Sequence, residues 1–323
     1  LRVAADRAGD SLGARANPLL PALFVVLWST GFISAKYGLP YAPPLKFLLV
    51  RFALAAALMT TVALATRAAW PRGLRQVGHV AVAAALVHGV YLGGVFVSIA
   101  GGMPAGTSAM LVGLQPILTV VLARMWLGER ISALQWLGLG LGLAGVYLVV
   151  RHKIALDADP VTLAPIVAAL AGISIGTLYQ KRFAAQVDLR SGAVVQFTAC
   201  VLLYAPIVAW LEPAPIAWTP QFAFALGWSV IVLSAGAISL LYWLLRHGAA
   251  ADVARLFYLV PPVTALMAFG LFGERLDAFA LGGMVLIALG VALARRKQHR
   301  SGVTDGHRQR PPGMRTLPPE SRL

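Results

Sequence analysis

Between Arg75 and Arg124 the chain runs for 48 residues without an Asp, Glu, Lys or Arg. A helix rises about 1.5 Å per residue and a bilayer core is roughly 30 Å thick, so about 20 residues cross it once. This run is more than twice that length, and its middle reads Ile99-Ala100-Gly101-Gly102-Met103-Pro104, which is turn chemistry. It is therefore a helical hairpin. Further charge-free runs lie at 16–35, 52–66, 131–150, 160–180, 191–211, 213–245, 256–273 and 278–294, nearly all of span length. The expected fold is an all-α membrane protein rather than a large soluble one with buried helices.

Ten transmembrane helices follow, at about 19–38, 45–66, 76–99, 104–123, 132–150, 161–183, 191–211, 222–246, 251–272 and 277–295. Lys and Arg test this count independently, because they gather in cytoplasmic loops. With the N-terminus inside, the inner segments hold Arg67, Arg72 and Arg75, then Arg124 and Arg130, then Lys181, Arg182 and Arg190, then Arg246 and Arg255, and finally Arg295, Arg296 and Lys297. The outer connections hold Arg151 and Lys153 beside Asp157 and Asp159, Arg275, Lys46 at a helix mouth, and no cation in 100–104 or 212–221. This bias places both termini in the cytoplasm. No small-x-small cleavage site follows the first apolar run before Lys36, so that run is read as a retained span.

Composition removes other classes. Only 12% of residues are charged against 59% hydrophobic, too few charges to cover a soluble surface. The net charge of +15 would suggest nucleic acid, but the cations sit in clusters between apolar runs, so the partner is the lipid bilayer and no nucleic acid is expected. The lone cysteine, Cys200, excludes an internal disulfide, and no two His or acidic residues have metal-ligand spacing within one helix. Neither a metal nor another cofactor is expected.

Sliding the sequence by 145 residues lays Gly128-Glu129-Arg130 on Gly273-Glu274-Arg275, Pro116 on Pro261, Thr119 on Thr264, Gly138 on Gly283, Gly145 on Gly290 and Lys36 on Lys181. Between 105–149 and 250–294, 16 of 45 positions are identical, where a biased composition gives about 4 by chance. The unit has five helices. Five is odd, so the second copy enters the membrane from the opposite side, giving two inverted five-helix repeats related by a pseudo-two-fold axis in the membrane plane. The chain then divides into a cytoplasmic segment 1–18, a first repeat 19–151, an external linker 152–160, a second repeat 161–296 and a disordered basic tail 297–323.

Some motifs have a structural reading first. Ser132 with Gln135 makes a capping box for the fifth helix, and Asp277 caps the tenth. The Gly-Glu-Arg triplets read as helix stops. Gly138 and Gly142 form G-x-x-x-G, expected in close helix packing, with a homodimer seam as the alternative.

All twelve acids fall in loops, tails or helix ends, so no carboxylate is available at the midplane for proton coupling or for an organic cation. His88 is the mid-helix group placed to titrate, or else a histidine hydrogen-bonded in the bundle. Arg51 lies about six residues into helix two, roughly 9 Å deep, too far for easy snorkelling, and faces the cavity or a neighbouring carbonyl. Lys36 and Lys181 snorkel to the interface or form paired electrostatic entrances for anionic or zwitterionic solutes. Pro116 and Pro261 interrupt the fourth and ninth helices near their centres. Around these lie Trp28, Ser29, Thr30, Tyr91, Gln115, Ser174, Tyr258 and Pro262. With Arg51, His88 and the two prolines they make an aromatic, weakly polar lining, the expected small-molecule site.

Three features together resemble the EamA-type family of the drug/metabolite transporter superfamily: Leu27-Trp28-Ser29-Thr30-Gly31-Phe32-Ile33-Ser34-Ala35-Lys36, Arg51-Phe52, and the paired Pro-then-Gly-Glu-Arg modules. The likeness covers about 19–296. It implies a ten-helix permease of a bacterial inner membrane that exports or exchanges a small metabolite or drug through a central cavity, and the inverted repeat itself points to alternating access; no catalytic residues are expected. The rival readings are a channel or lipid-translocating protein, and an acyltransferase built on the H-x4-D spacing of His247 and Asp252.

Overall fold

The computed structural model describes residues 19–127, 133–154, 160–238, 240, 243–244, 256–257, 259–274 and 278–295. Their regular structure is entirely helical. In chain order the helices are α1 (Leu19–Gly38), α2 (Pro44–Ala65), α3 (Leu74–Ala100), α4 (Ala105–Val112), α5 (Gln115–Leu127), α6 (Ala133–Ile154), α7 (Pro160–Phe183), α8 (Leu189–Leu211), α9 (Pro220–Ala237), α10 (Val260–Phe272) and α11 (Ala278–Arg295). Six of them, α1, α2, α3, α7, α8 and α9, are long and apolar enough to cross a bilayer, and shorter apolar helices lie at Trp136–Gly145, Val260–Phe272 and Leu281–Gly290. Val167, Leu202, Ile231 and Leu266 project outward from these helices, which suits contact with lipid rather than water.

Capping explains most of the boundaries. Proline sits in the first turn of α2, α9 and α10, where its missing N–H is one that no helix would satisfy. Thr219 accepts a hydrogen bond from the Phe222 N–H at 3.2 Å to open α9. Gly273 closes α10 with a left-handed φ of +64°, the helix stop expected of the Gly-Glu-Arg triplet. Ser132, Gln135 as a cap, Asp277, Arg275 and the triplet at 128–130 lie outside the described residues or side chains.

The two prolines do not kink helices in mid-course. The segment expected as one helix over 104–123 breaks at Gly113-Leu114, and Pro116 follows Gln115 in the first turn of α5. Pro261 likewise follows Val260 at the start of α10. A proline is tolerated at a helix start for the same reason that it disrupts an interior. Here the chain restarts the helix instead of bending it.

Polar contacts gather the connections at two ends. At one end, the Ala217 N–H donates to the Tyr41 carbonyl at 2.8 Å, the Ser98 hydroxyl to the Thr162 carbonyl at 2.9 Å, and the Leu45 and Lys46 N–H groups to the Glu212 carboxylate at 3.1 and 2.7 Å. At the other, the Ser191 hydroxyl donates to the Ala69 carbonyl at 2.6 Å. Next to the first end lies an aromatic cluster in which Phe47 meets Phe96 and Phe222 at 5.2 and 5.3 Å.

Contacts between the halves come in exchangeable pairs. A Cβ on Gly145 of α6 would lie 2.7 Å from the Gly283 carbonyl of α11, and one on Gly290 of α11 would lie 2.5 Å from the Gly138 carbonyl of α6. Moving each residue by 145 turns the first contact into the second. Gly138 thus packs as G-x-x-x-G predicts, with its partner inside the same chain. Phe52 on α2 stacks on Phe197 of α8, its own counterpart at 145 residues, with centroids 6.1 Å apart. Helices α3 and α9 each contain a π-helical stretch, Ala85–Val90 and Trp228–Ala237, and a shift of 145 lays the first inside the second.

Candidate functional site

The residues expected to line one cavity occupy three places. Along α1, Ser29 is fully buried and its hydroxyl donates to the Val25 carbonyl at 2.7 Å and the Val260 carbonyl at 3.3 Å. One residue on, Thr30 donates to the Leu27 carbonyl and accepts from the Trp228 indole N–H at 2.9 Å. Trp28 packs edge-on to Phe257 at 5.0 Å. These side chains, with Pro261, join α1 to α9 and α10. Tyr258 lies outside the described residues.

A second group joins α5 to α7. The Gln115 amide donates to the Thr177 hydroxyl at 3.2 Å on an exposed face, beside Pro116. Ser174 is fully buried and bonded back to the Leu170 carbonyl at 2.7 Å.

The third group holds the charge. Arg51 is 8% exposed, and its Nε has no hydrogen-bond partner among the described residues. It lies within electrostatic reach of Tyr91 and His88 on α3. The His88 Nε2 meets the Gln196 Oε1 of α8 at 3.1 Å, so the nitrogen donates and the amide oxygen accepts. The rings of Phe52, Phe197 and Tyr204 close one side, with Phe197 5.3 Å from the imidazole and Tyr204 5.7 Å from Phe52. His88 sits in the π stretch of α3, an irregularity frequent at functional sites. A charged side chain within a membrane-spanning helix is costly unless it is paired, and among the described residues no carbonyl meets the Arg51 Nε.

Among the described residues the carboxylates are Asp188, Glu212 and Glu274, and each is occupied elsewhere. Asp188 pairs with Arg190 at 2.8 Å, whose guanidinium holds this carboxyl below the usual carboxylate range. Glu212 caps α2. Glu274 accepts from the Lys36 ammonium, from the Ala105 N–H at 2.9 Å and from the Gly106 N–H at 3.3 Å. The Lys36 ammonium also stands 5.1 Å from the Phe272 ring. Lys36 therefore does not snorkel into the interface. It belongs to a junction of α1, α4 and the end of α10, while Lys181 is exposed.

A cavity of about 250 Å³ opens between α4, α10 and α11, among Met110, Gly113, Pro261, Pro262, Met284 and Ile287. Of the expected lining it touches Pro261 and Pro262. A cleft of about 20 Å³ runs between α3, α7 and α8 from Asp188 to Gln196, room for roughly one water. Gln196, Thr177 and Trp228 were not anticipated. Gln196 was within reach, because it stands 145 residues after Arg51.

The helices and their apolar outer faces are those of an integral membrane protein. The chain belongs to the EamA-like transporter family, whose model matches it twice, over residues 18–151 and 162–296. It is thus a membrane transporter of the drug/metabolite type, not an enzyme. It is 27% identical over 86% of its length to the uncharacterized transporter YvbV of Bacillus subtilis, covering 91% of that protein. It is 28% identical over 84% of its length to the uncharacterized inner membrane transporter YedA of Escherichia coli, again covering 91%. A probable terminal-alkyne amino-acid exporter of Streptantibioticus cattleyicolor is 27% identical over 64% of this chain and 70% of its own. One crystal structure shares the fold with a TM-score of 0.59 at 20% identity, over 86% of this chain and 96% of that one.

Proposed function

We propose that the chain is a secondary carrier of a bacterial inner membrane, with both termini cytoplasmic, which exports or exchanges a small metabolite by alternating access between ten-helix, inverted-repeat states. The observation that carries this reading is the junction at Glu274. A carboxylate of the second half there holds a lysine and a helix N-terminus of the first. Its counterpart under the 145-residue shift is Lys181 with Glu129 and the chain at Ala250. By the charge bias of the loops these two junctions lie at opposite membrane faces. Lys36 engaged with Glu274 is the contact expected of a carrier closed on the outside.

The exchangeable glycine contacts of α6 and α11, the Phe52 to Phe197 stack and the paired π stretches support the inverted repeat. Trp28, Ser29, Thr30, Gln115 and Pro116 line the path between the halves, with Arg51, His88 and Tyr91 at its inner wall. A substrate of amino-acid type is favoured by the exporter relative and by a probable amino-acid metabolite efflux pump of Escherichia coli, 28% identical over 44% of this chain and 45% of its own.

Counterflow tests the mechanism. Proteoliposomes loaded with unlabelled neutral amino acids are expected to accelerate uptake of the labelled compound and to saturate. Linear flux without exchange acceleration supports a channel or lipid-translocating protein instead.

A further inference from the structure

Among the described residues the strongest unanswered demand is the charge of Arg51. It is 8% exposed, seven residues past the start of α2 at Pro44, or roughly 10 Å along the helix. Each described carboxylate has partners of its own, and the ion pairs of Lys36 with Glu274 and of Arg190 with Asp188 leave Arg51 out. A guanidinium offers five donors in a planar fork that matches a carboxylate. Its Nε has no partner among the described residues.

We propose that Arg51, with His88, Tyr91 and Gln196 around it, is an anion subsite that receives the carboxylate of the transported solute. This rests on the carrier reading and names the residue that would hold the carboxylate of the amino-acid-type substrate proposed there. The charge selects the ligand. One buried cation is neutralised by one monoanion, whereas a phosphate dianion would leave a net negative charge in the same low-polarity surroundings. The other groups are polar: the Tyr91 hydroxyl, the imidazole, and the Gln196 amide that orients it at 3.1 Å. They can hydrogen-bond a second carboxylate oxygen or the ammonium of a zwitterion without adding charge. Phe52, Phe197 and Tyr204 exclude water on one side, which strengthens a charge pair formed there. Lys36 cannot serve as this anion site, because Glu274 already occupies it.

Equilibrium binding to the full chain in detergent tests the proposal, read as the rise in thermal stability that a ligand confers on the state it binds. The probes are neutral L-amino acids, their carboxamides, short monocarboxylates, inorganic phosphate and chloride. The expected result is stabilisation by amino acids or monocarboxylates and none by the carboxamides. R51Q is expected to lose the response. R51K keeps the charge without the fork and is expected to weaken it about tenfold or more. Should R51Q fail to fold, R51K and Q196L carry the comparison, with Q196L weakening the response less than R51K.

Four results overturn the subsite: carboxamides as effective as acids, phosphate or chloride active with carboxylates inert, no carboxylate active, or an R51K response equal to that of the parent. Binding at equilibrium does not require alternation of access. Arg51-dependent binding without counterflow therefore strikes the carrier reading alone, and counterflow with Arg51-independent binding strikes the subsite alone.

Discussion

Gly94 on α3 faces α7 so closely that a Cβ there would lie 2.1 Å from the Pro165 carbonyl oxygen and 2.9 Å from the Ala169 Cβ. Backbone cannot yield as a flexible side chain can, so G94A is expected to destabilise the protein by about 1–3 kcal/mol. A lowered thermal midpoint in detergent checks this; an unchanged midpoint would mean that α3 and α7 are not in contact. Glycine at 94 is visible in the sequence, but its neighbour at 165 is not, because the contact joins helices whose order in space no local pattern encodes. The same limit applies to Arg51. Its depth and its lack of an acidic neighbour along the helix were legible, whereas its position beside His88, Tyr91 and Gln196 depends on how α2, α3 and α8 pack.

Glu212 acts at the scale of an element. It stands in the connection after α8 and accepts from the first N–H groups of α2 at 3.1 and 2.7 Å, a negative charge at the positive end of a helix dipole. E212A is expected to cost about 1 kcal/mol, in line with loss of a cap, and E212Q to recover part of it because an amide oxygen still accepts. A midpoint for E212A equal to that of the parent would refute the cap. Helix positions were read well from apolar runs and charge clusters, since length and polarity are local. The break at Gly113-Leu114 was misplaced by a few residues because proline was expected inside a helix, when its geometry favours the start. The π stretches in α3 and α9 were not foreseen. Such a bulge arises from packing around an extra residue, which leaves no compositional mark.

For the whole molecule, the proposed reciprocal junctions predict two exclusive cross-links. In a C200A background, which removes the native thiol, K36C with E274C should form a disulfide that blocks exchange until reduced, and K181C with E129C should do the same in the opposite state. A molecule that forms both bonds at once would show that the junctions do not alternate. What the sequence determined by itself was the membrane class, the apolar helices and the doubled family pattern, because hydropathy and a 145-residue self-match are properties of the chain read in order. Which lysine meets which acid, which glycines admit the other half, and which arginine is buried without a counter-ion among the described residues were decided only when the helices packed. Those relations join residues up to 238 positions apart, and they exist only once the bilayer-spanning helices have been brought side by side.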